Sequence, residues 1–209
     1  MTRVLGQAQK LGFLGPGPLD RHVDHARAMG ACLPDGAGRV LDLGSGGGVP
    51  GLVLADDHPT LALVLLDSTA RRCRFLREAA ADLDLEDRVE VVEARAESAA
   101  RDPDRRGAFD VVVARSFGAP AVTAECAVGF LRLGGCLVVS EPPGSGVSPE
   151  TPETPEGSNR WPPEALAELG LSPVVVCGTG AFGFACLEKV RTDDRWPRRV
   201  GIPAKRPRF

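Results

Sequence analysis

Lysine is scarce in this chain: Lys10, Lys189 and Lys205 are all it has, and arginine carries every other positive charge among 25 cationic residues. With alanine and glycine abundant, that bias fits a GC-rich coding sequence rather than a function. Long apolar runs are missing too. No stretch reaches the roughly 18 to 20 residues needed to span a bilayer. The N-terminal MTRVLGQAQKLGFLG has no continuous apolar stretch of the secretory-signal kind, so a cytoplasmic protein is expected, with no membrane partner. The 6 cysteines (Cys32, Cys73, Cys126, Cys136, Cys177, Cys186) include no CxxC pair, and several sit in apolar runs as small core residues. Neither a metal site nor a disulfide framework is therefore expected. No Ser/His/Asp or Cys/His constellation speaks for nucleophilic catalysis, and there is no internal repeat.

What remains is an ordinary globular balance, 43% hydrophobic and 25% charged over 209 residues, enough for one α/β domain spanning 1–209. Short apolar runs rich in β-branched residues occur at 39–43, 61–66, 88–92, 109–113 and 135–139. Such runs suit parallel strands covered on both faces. Between them lie helix candidates. In 69–83 the residues Cys73, Leu76, Ala79, Ala80 and Leu83 recur at helical spacing; a second candidate, 119–131, is expected to end at Gly134-Gly135. Strand–helix alternation predicts right-handed crossovers and a doubly wound, mostly parallel seven-stranded sheet with helices on both faces. A helical segment over 1–36 precedes it. Residues 141–163, dense in Pro, Gly, Ser, Thr and Glu, read as a flexible loop unable to build core. A short helix at 163–169 then leads to strands at 172–177 and 182–188, an antiparallel hairpin at one sheet edge. The last segment, 191–209, is basic on an otherwise acidic body. By composition it is a solvated tail or a phosphate-binding surface.

The chemistry concentrates in Asp42-Leu43-Gly44-Ser45-Gly46-Gly47-Gly48-Val49-Pro50-Gly51, between the first strand and a helix. Taken alone, the GxGxxG spacing from Gly46 fits dinucleotides, other nucleoside cofactors or a purely structural turn. Asp42 discriminates. It ends the first strand at the ligand crevice, where a carboxylate repels a pyrophosphate but favours the ammonium and sulfonium of S-adenosylmethionine. Asp67, with Ser68 after it, ends the second strand and is placed to accept both ribose hydroxyls. Ala96-Glu97 follows the third strand and is placed to border the adenine. Each acid alone is more simply a helix cap or a surface charge. In this order they favour the methyl donor over NAD. The cofactor-binding set is Asp42, Gly44, Ser45, Gly46, Gly48, Asp67, Ser68, Ala96, Glu97 and Arg115.

These residues carry a resemblance. LDLGSGGGVPGLVLA, LLDSTARRCRFLREAA, Arg95-Ala96-Glu97, Phe109-Asp110 with Ala114-Arg115-Ser116, and the closing Arg195-Trp196-Pro197-Arg198-Arg199-x-Gly201-x-Pro203-x-Lys205-x-Pro207 resemble the glucose-inhibited division protein B family. The resemblance covers roughly 20–140 and 186–209. It implies a class I methyltransferase fold and methylation of guanine N7 in 16S ribosomal RNA, with that RNA or the 30S subunit as partner. It also implies an ordered, RNA-facing tail in which Arg198 and Lys205 contact phosphate. Arg115 becomes the catalytic candidate, its forked donors orienting guanine O6; a structural ion pair is the plainer alternative. His22 matches the first residue of the family's H-x-x-D-S segment and is a candidate for substrate binding, or a plain surface or core histidine.

The chain departs from the family in three places. The family's N-terminal Asn-Leu-Thr segment is missing, so a divergent member with a shortened N-terminus is expected. His25 and Ala26 replace an acid and a serine. Ser140-Glu141-Pro142-Pro143 puts an acid where the family keeps a base, beside the substrate. Two other functions stay open: a methyltransferase acting on a small molecule or peptide, and a non-catalytic nucleoside-binding module of the ribosome.

Overall fold

The computed structural model describes residues 1–142, 160–179 and 182–209. Most of the 141–163 loop lies outside them. Two N-terminal helices, α1 (Thr2–Lys10) and α2 (Leu19–Gly30), precede an alternation of β1 (Arg39–Leu43), α3 (Gly51–Asp57), β2 (Ala62–Asp67), α4 (Ala70–Asp82), β3 (Val89–Glu93), α5 (Ala96–Ala99), β4 (Phe109–Ala114), α6 (Pro120–Val128) and β5 (Leu131–Ser140). Then follow α7 (Pro163–Leu169), β6 (Val175–Thr179), β7 (Phe182–Glu188) and α8 (Ile202–Lys205). The sheet has 7 strands in the order β3-β2-β1-β4-β5-β7-β6. β1 to β5 run parallel, and β7 inserts antiparallel between β5 and β6.

Strand alternation divides the core into two layers. Leu41, Leu43, Val112, Ala114 and Leu137 pack with α5, α6 and α7 on one face. Val40, Leu63, Leu65, Val111, Val113 and Val138 pack with α1, α3 and α4 on the other. Burial on both faces is why these strands read as continuous apolar runs. Strand order reverses between β1 and β4, which opens a crevice at the carboxyl ends of those strands.

Three expectations need correction. First, α6 ends at Val128, not at Gly134-Gly135. The glycines lie within β5, where a Cβ on Gly135 would meet the carbonyl oxygens of Phe109, Asp110 and Arg132 at 3.0 Å each. They mark a strand irregularity, with a register shift between Phe109 and Val111. Second, both described ends of the 141–163 segment are anchored. Trp161 is buried in the core, and buried Glu141 accepts hydrogen bonds from Trp161 Nε1 (2.9 Å) and Arg160 Nε (2.8 Å). The acid that stood out in the sequence is therefore satisfied internally. Third, Cys177 and Cys186 are joined in a disulfide between β6 and β7.

The basic tail is ordered and folded back on the body. Trp196 is buried against the α6 layer. Arg198 grips the fully buried Glu125 of α6 through Nε to Oε1 (2.8 Å) and Nη2 to Oε2 (2.6 Å). Expected to meet phosphate, Arg198 is instead the anchor of the tail, because its fork neutralises a carboxylate that α6 buries. Removing one partner of a buried pair strands the other charge. Arg198→Ala should therefore cost about 3–5 kcal/mol of unfolding free energy in urea titrations. A loss below about 1 kcal/mol, the level of an exposed pair, would show that the pair is solvated.

Candidate active site

The glycine turn is set by backbone constraints. Gly44, Gly46 and Gly48 have φ of 78°, 53° and 87°, a region costly for other residues. The amides of Gly44 and Ser45 both donate to Leu66 O, at 2.8 and 3.0 Å, tying the turn to the end of β2. Beneath it Asp42, 1% exposed, accepts the Gly51 amide at 2.9 Å. A Cβ on Gly51 would come within 2.6 Å of that carboxylate and 2.3 Å of Leu65 Cδ2. Ser45, also buried, donates its hydroxyl to Asp42 O at 2.9 Å.

Beside the turn lies a cleft of about 480 Å³. Gly44, Asp67, Ser68, Ala96 and Glu97 line it, as the order of motifs predicts. Asp67 is held rigidly: Oδ2 accepts Gly46 N (3.1 Å) and Oδ1 accepts Thr69 N (2.9 Å). Glu97 is 2% exposed, and its Oε1 accepts Gly201 N from the tail at 2.9 Å. Its Oε2 is buried without a partner. Burial pushes the Glu97 carboxyl upward, but the backbone amides and Arg95 outweigh it and hold it below the ordinary value. An ionised, half-satisfied carboxylate at the cleft wall has room to accept one more donor.

Asp42, Ser45, Gly46, Gly48 and Arg115 do not line this cleft. Asp42 stands near the end of β1, and Ser45, Gly46 and Gly48 belong to the turn that follows it. Arg115 follows β4 and lies chiefly inside the protein. Its Nη2 meets His22 Nδ1 at 2.6 Å, while Nη1 is buried with no partner. His22 Nε2 faces the Gly15 carbonyl at 3.2 Å, so that nitrogen carries the proton and Nδ1 accepts from Arg115. Burial, then the Arg115 charge, lowers the His22 pKa and keeps the ring neutral. With both nitrogens engaged, His22 holds Arg115 rather than offering a free group to a substrate. Lys205 ends α8 on the surface, next to Ala204 at the cleft rim.

A profile of the family described as rRNA small subunit methyltransferase G matches residues 18–141. The chain belongs to that family. It is 38% identical over 174 residues to ribosomal RNA small subunit methyltransferase G of Roseiflexus castenholzii, spanning 83% of this chain and 72% of that protein. With the Deinococcus deserti protein of the same name it shares 36% over 192 residues, 91% of this chain and 77% of the other. Among solved structures it resembles an O-methyltransferase from Bacillus cereus in complex with SAH (TM-score 0.62, 19% identity, 90% of each chain), a likeness of fold. The chain is an S-adenosylmethionine-dependent methyltransferase.

The family motifs do not include all of the cleft. Ser116, the last residue of one of them, has φ 56°, and Phe117 and Gly118 after it continue the wall, Phe117 packed so closely that a Cβ on Gly44 would meet it at 2.6 Å. An aromatic beside glycine just past a strand end was the available signal. Val122 and Cys126 of α6 supply an apolar side, and Arg72 and Arg95 stand among the lining residues.

Burial raises the Asp42 carboxyl to about 7, against the opposing Gly51 and Ser45 hydrogen bonds and the Arg115 charge. Below about pH 7 the fold thus prefers Asp42 protonated. Its contribution to stability is complete below the ordinary carboxylate range and is lost as pH rises through about 7. Urea unfolding of wild type against Asp42→Asn should show the variant gaining relative stability between about pH 4 and 7. Parallel pH profiles would mean that Asp42 titrates normally.

Proposed function

We propose that this enzyme transfers a methyl group to guanine N7 of 16S ribosomal RNA, acting in the cytoplasm on the RNA or the 30S subunit. The observation that carries the reading is Arg115: a half-buried residue at the carboxyl end of β4, clamped by His22, whose Nη1 is buried without a partner. Unpaired buried donors are rare and costly, so one beside a cofactor cleft is best understood as reserved for a ligand. Family membership supplies the ligand's class, since the relatives carry a ribosomal RNA methyltransferase name.

The cofactor residues proposed are Asp67 for the ribose hydroxyls, Ala96 and Glu97 at the adenine, Gly44 and Ser68 as close walls, and Asp42, Ser45, Gly46 and Gly48 as the turn. S-adenosylmethionine supplies an electrophilic methyl group on a sulfonium. Guanine N7 attacks with an in-plane lone pair that is free at neutral pH, so no residue needs to remove a proton. Asp42 contributes negative charge opposite the sulfonium. Arg115 orients the base by donating to O6, which confines the nitrogen to a near-attack position. His22 acts through Arg115 by fixing its torsions. Lys205, with exposed Arg199, offers phosphate contacts at the rim. Glu141 faces Trp161 and Arg160, so it presents no repulsive charge to that backbone.

The test is transfer of tritiated methyl groups to 30S subunits or 16S RNA from cells lacking the gene. Wild-type protein should label a single guanine at N7. Arg115→Ala should lose about 10²-fold in turnover or more while calorimetry shows cofactor affinity nearly unchanged. Cofactor binding without any labelling of RNA would favour a small-molecule or peptide acceptor. Absence of cofactor binding would leave only the non-catalytic module.

A further inference from the structure

Outside the cofactor cleft, a second group of reactive side chains converges at the far edge of the sheet. Cys32 lies in the turn after α2, Cys177 on β6 and Cys186 on β7, and their sulfurs all lie within 4.8 Å of one another. The first two are separated by almost the whole domain in sequence, which is why spacing rules do not find the trio. Cys177 and Cys186 form the disulfide, and Cys32 is a free thiol beside it. All three are half-buried, neither locked in the core nor fully exposed. None lines the cofactor cleft.

A disulfide between two hairpin strands needs only two cysteines. A third sulfur brought close to both from a separate helical segment serves no purpose in that bond. A free thiol beside a disulfide also exposes it to exchange. Three converging sulfurs are, in contrast, the donor set for a thiophilic cation. A tetrahedral zinc ion with zinc–sulfur bonds of about 2.3 Å needs its sulfurs about 3.8 Å apart, within reach of this group once the bond is open.

The geometry points to a binding site for one thiophilic divalent cation, of the zinc class, held by Cys32, Cys177 and Cys186. A dithiol reductant first opens the Cys177–Cys186 bond. It gives two electrons and two protons to the pair and becomes a disulfide itself. The cation then displaces three protons from three thiols and forms a complex of net charge −1, with a water in the fourth position. In a reducing compartment this is the expected fate of such a cluster. The ion would fasten the turn after α2 to the hairpin. That interface already includes His25 of α2, whose ring packs edge-on against Phe182 and Phe184 at 5.1 and 5.2 Å.

The full chain is reduced with a dithiol, freed of it by anaerobic desalting, and titrated with Co²⁺ and then Zn²⁺. One equivalent of Co²⁺ should produce a sulfur-to-cobalt charge-transfer band that Zn²⁺ abolishes, and Zn²⁺ should raise the melting temperature. Cys32→Ser should lose both effects while still binding S-adenosylmethionine, which shows that it is folded. The site is excluded if reduced wild type gives no such band or if the pair resists reduction by excess dithiol. An undiminished band in folded Cys32→Ser also excludes it.

Discussion

One buried carboxylate governs the ligand end of the sheet. Asp42 is placed at the end of β1 by the parallel register with β2 and β4, and it has almost no access to water. Its main compensation is the Gly51 amide, the first of α3. That bond aligns the start of the helix under the turn, and the turn aims the Gly44 amide at Leu66 O and the Gly46 amide at Asp67. The arrangement tolerates no Cβ at Gly51 and a positive φ at three other glycines. Stability here is sacrificed for position, because an ionised carboxylate is costly to bury.

The cleft wall is completed from the far end of the chain. Glu97 accepts the Gly201 amide, Arg198 neutralises Glu125, and Trp196 packs into the α6 layer. The tail is therefore part of the domain core and of the cleft at once. Lys205 and Arg199 remain on its outer surface, displayed on a scaffold fixed by the residues between them. A string that is basic in composition thus splits into inward residues that fasten it and outward ones that carry free charge.

The strands, their order of use and the glycine turn were legible because they depend on local pattern. Apolar runs such as 109–113 are recorded by periodicity, and Gly44 to Gly51 by φ requirements. Asp67 and Ala96-Glu97 were found by position after successive strands. What escaped is nonlocal. Nothing in the sequence pairs Arg198 with Glu125, or Glu141 with Trp161, because those partners are chosen by packing across the fold. Gly134-Gly135 was misjudged for a related reason. Glycine marks a break in regular structure, but whether it ends a helix or bends a strand depends on the backbone of the neighbouring strand.

The pairing of Arg115 with His22 carries this separation into function. The two residues are 93 positions apart, so the group proposed to orient the base is set by the N-terminal helices, while the residues proposed for the cofactor follow strands of the sheet. Phe13 belongs to the same N-terminal segment, and its carbonyl stands where a Cβ on Gly47 would come within 2.9 Å. The segment therefore touches both the glycine turn and Arg115. His25, one turn after His22, sits where the family keeps an acid; it bonds Ser140 at 2.7 Å, and burial lowers it to about 4. A neutral ring there removes a negative charge from the neighbourhood of Arg115. Arg115 Nη1 is left without a partner there, the donor proposed above for the substrate.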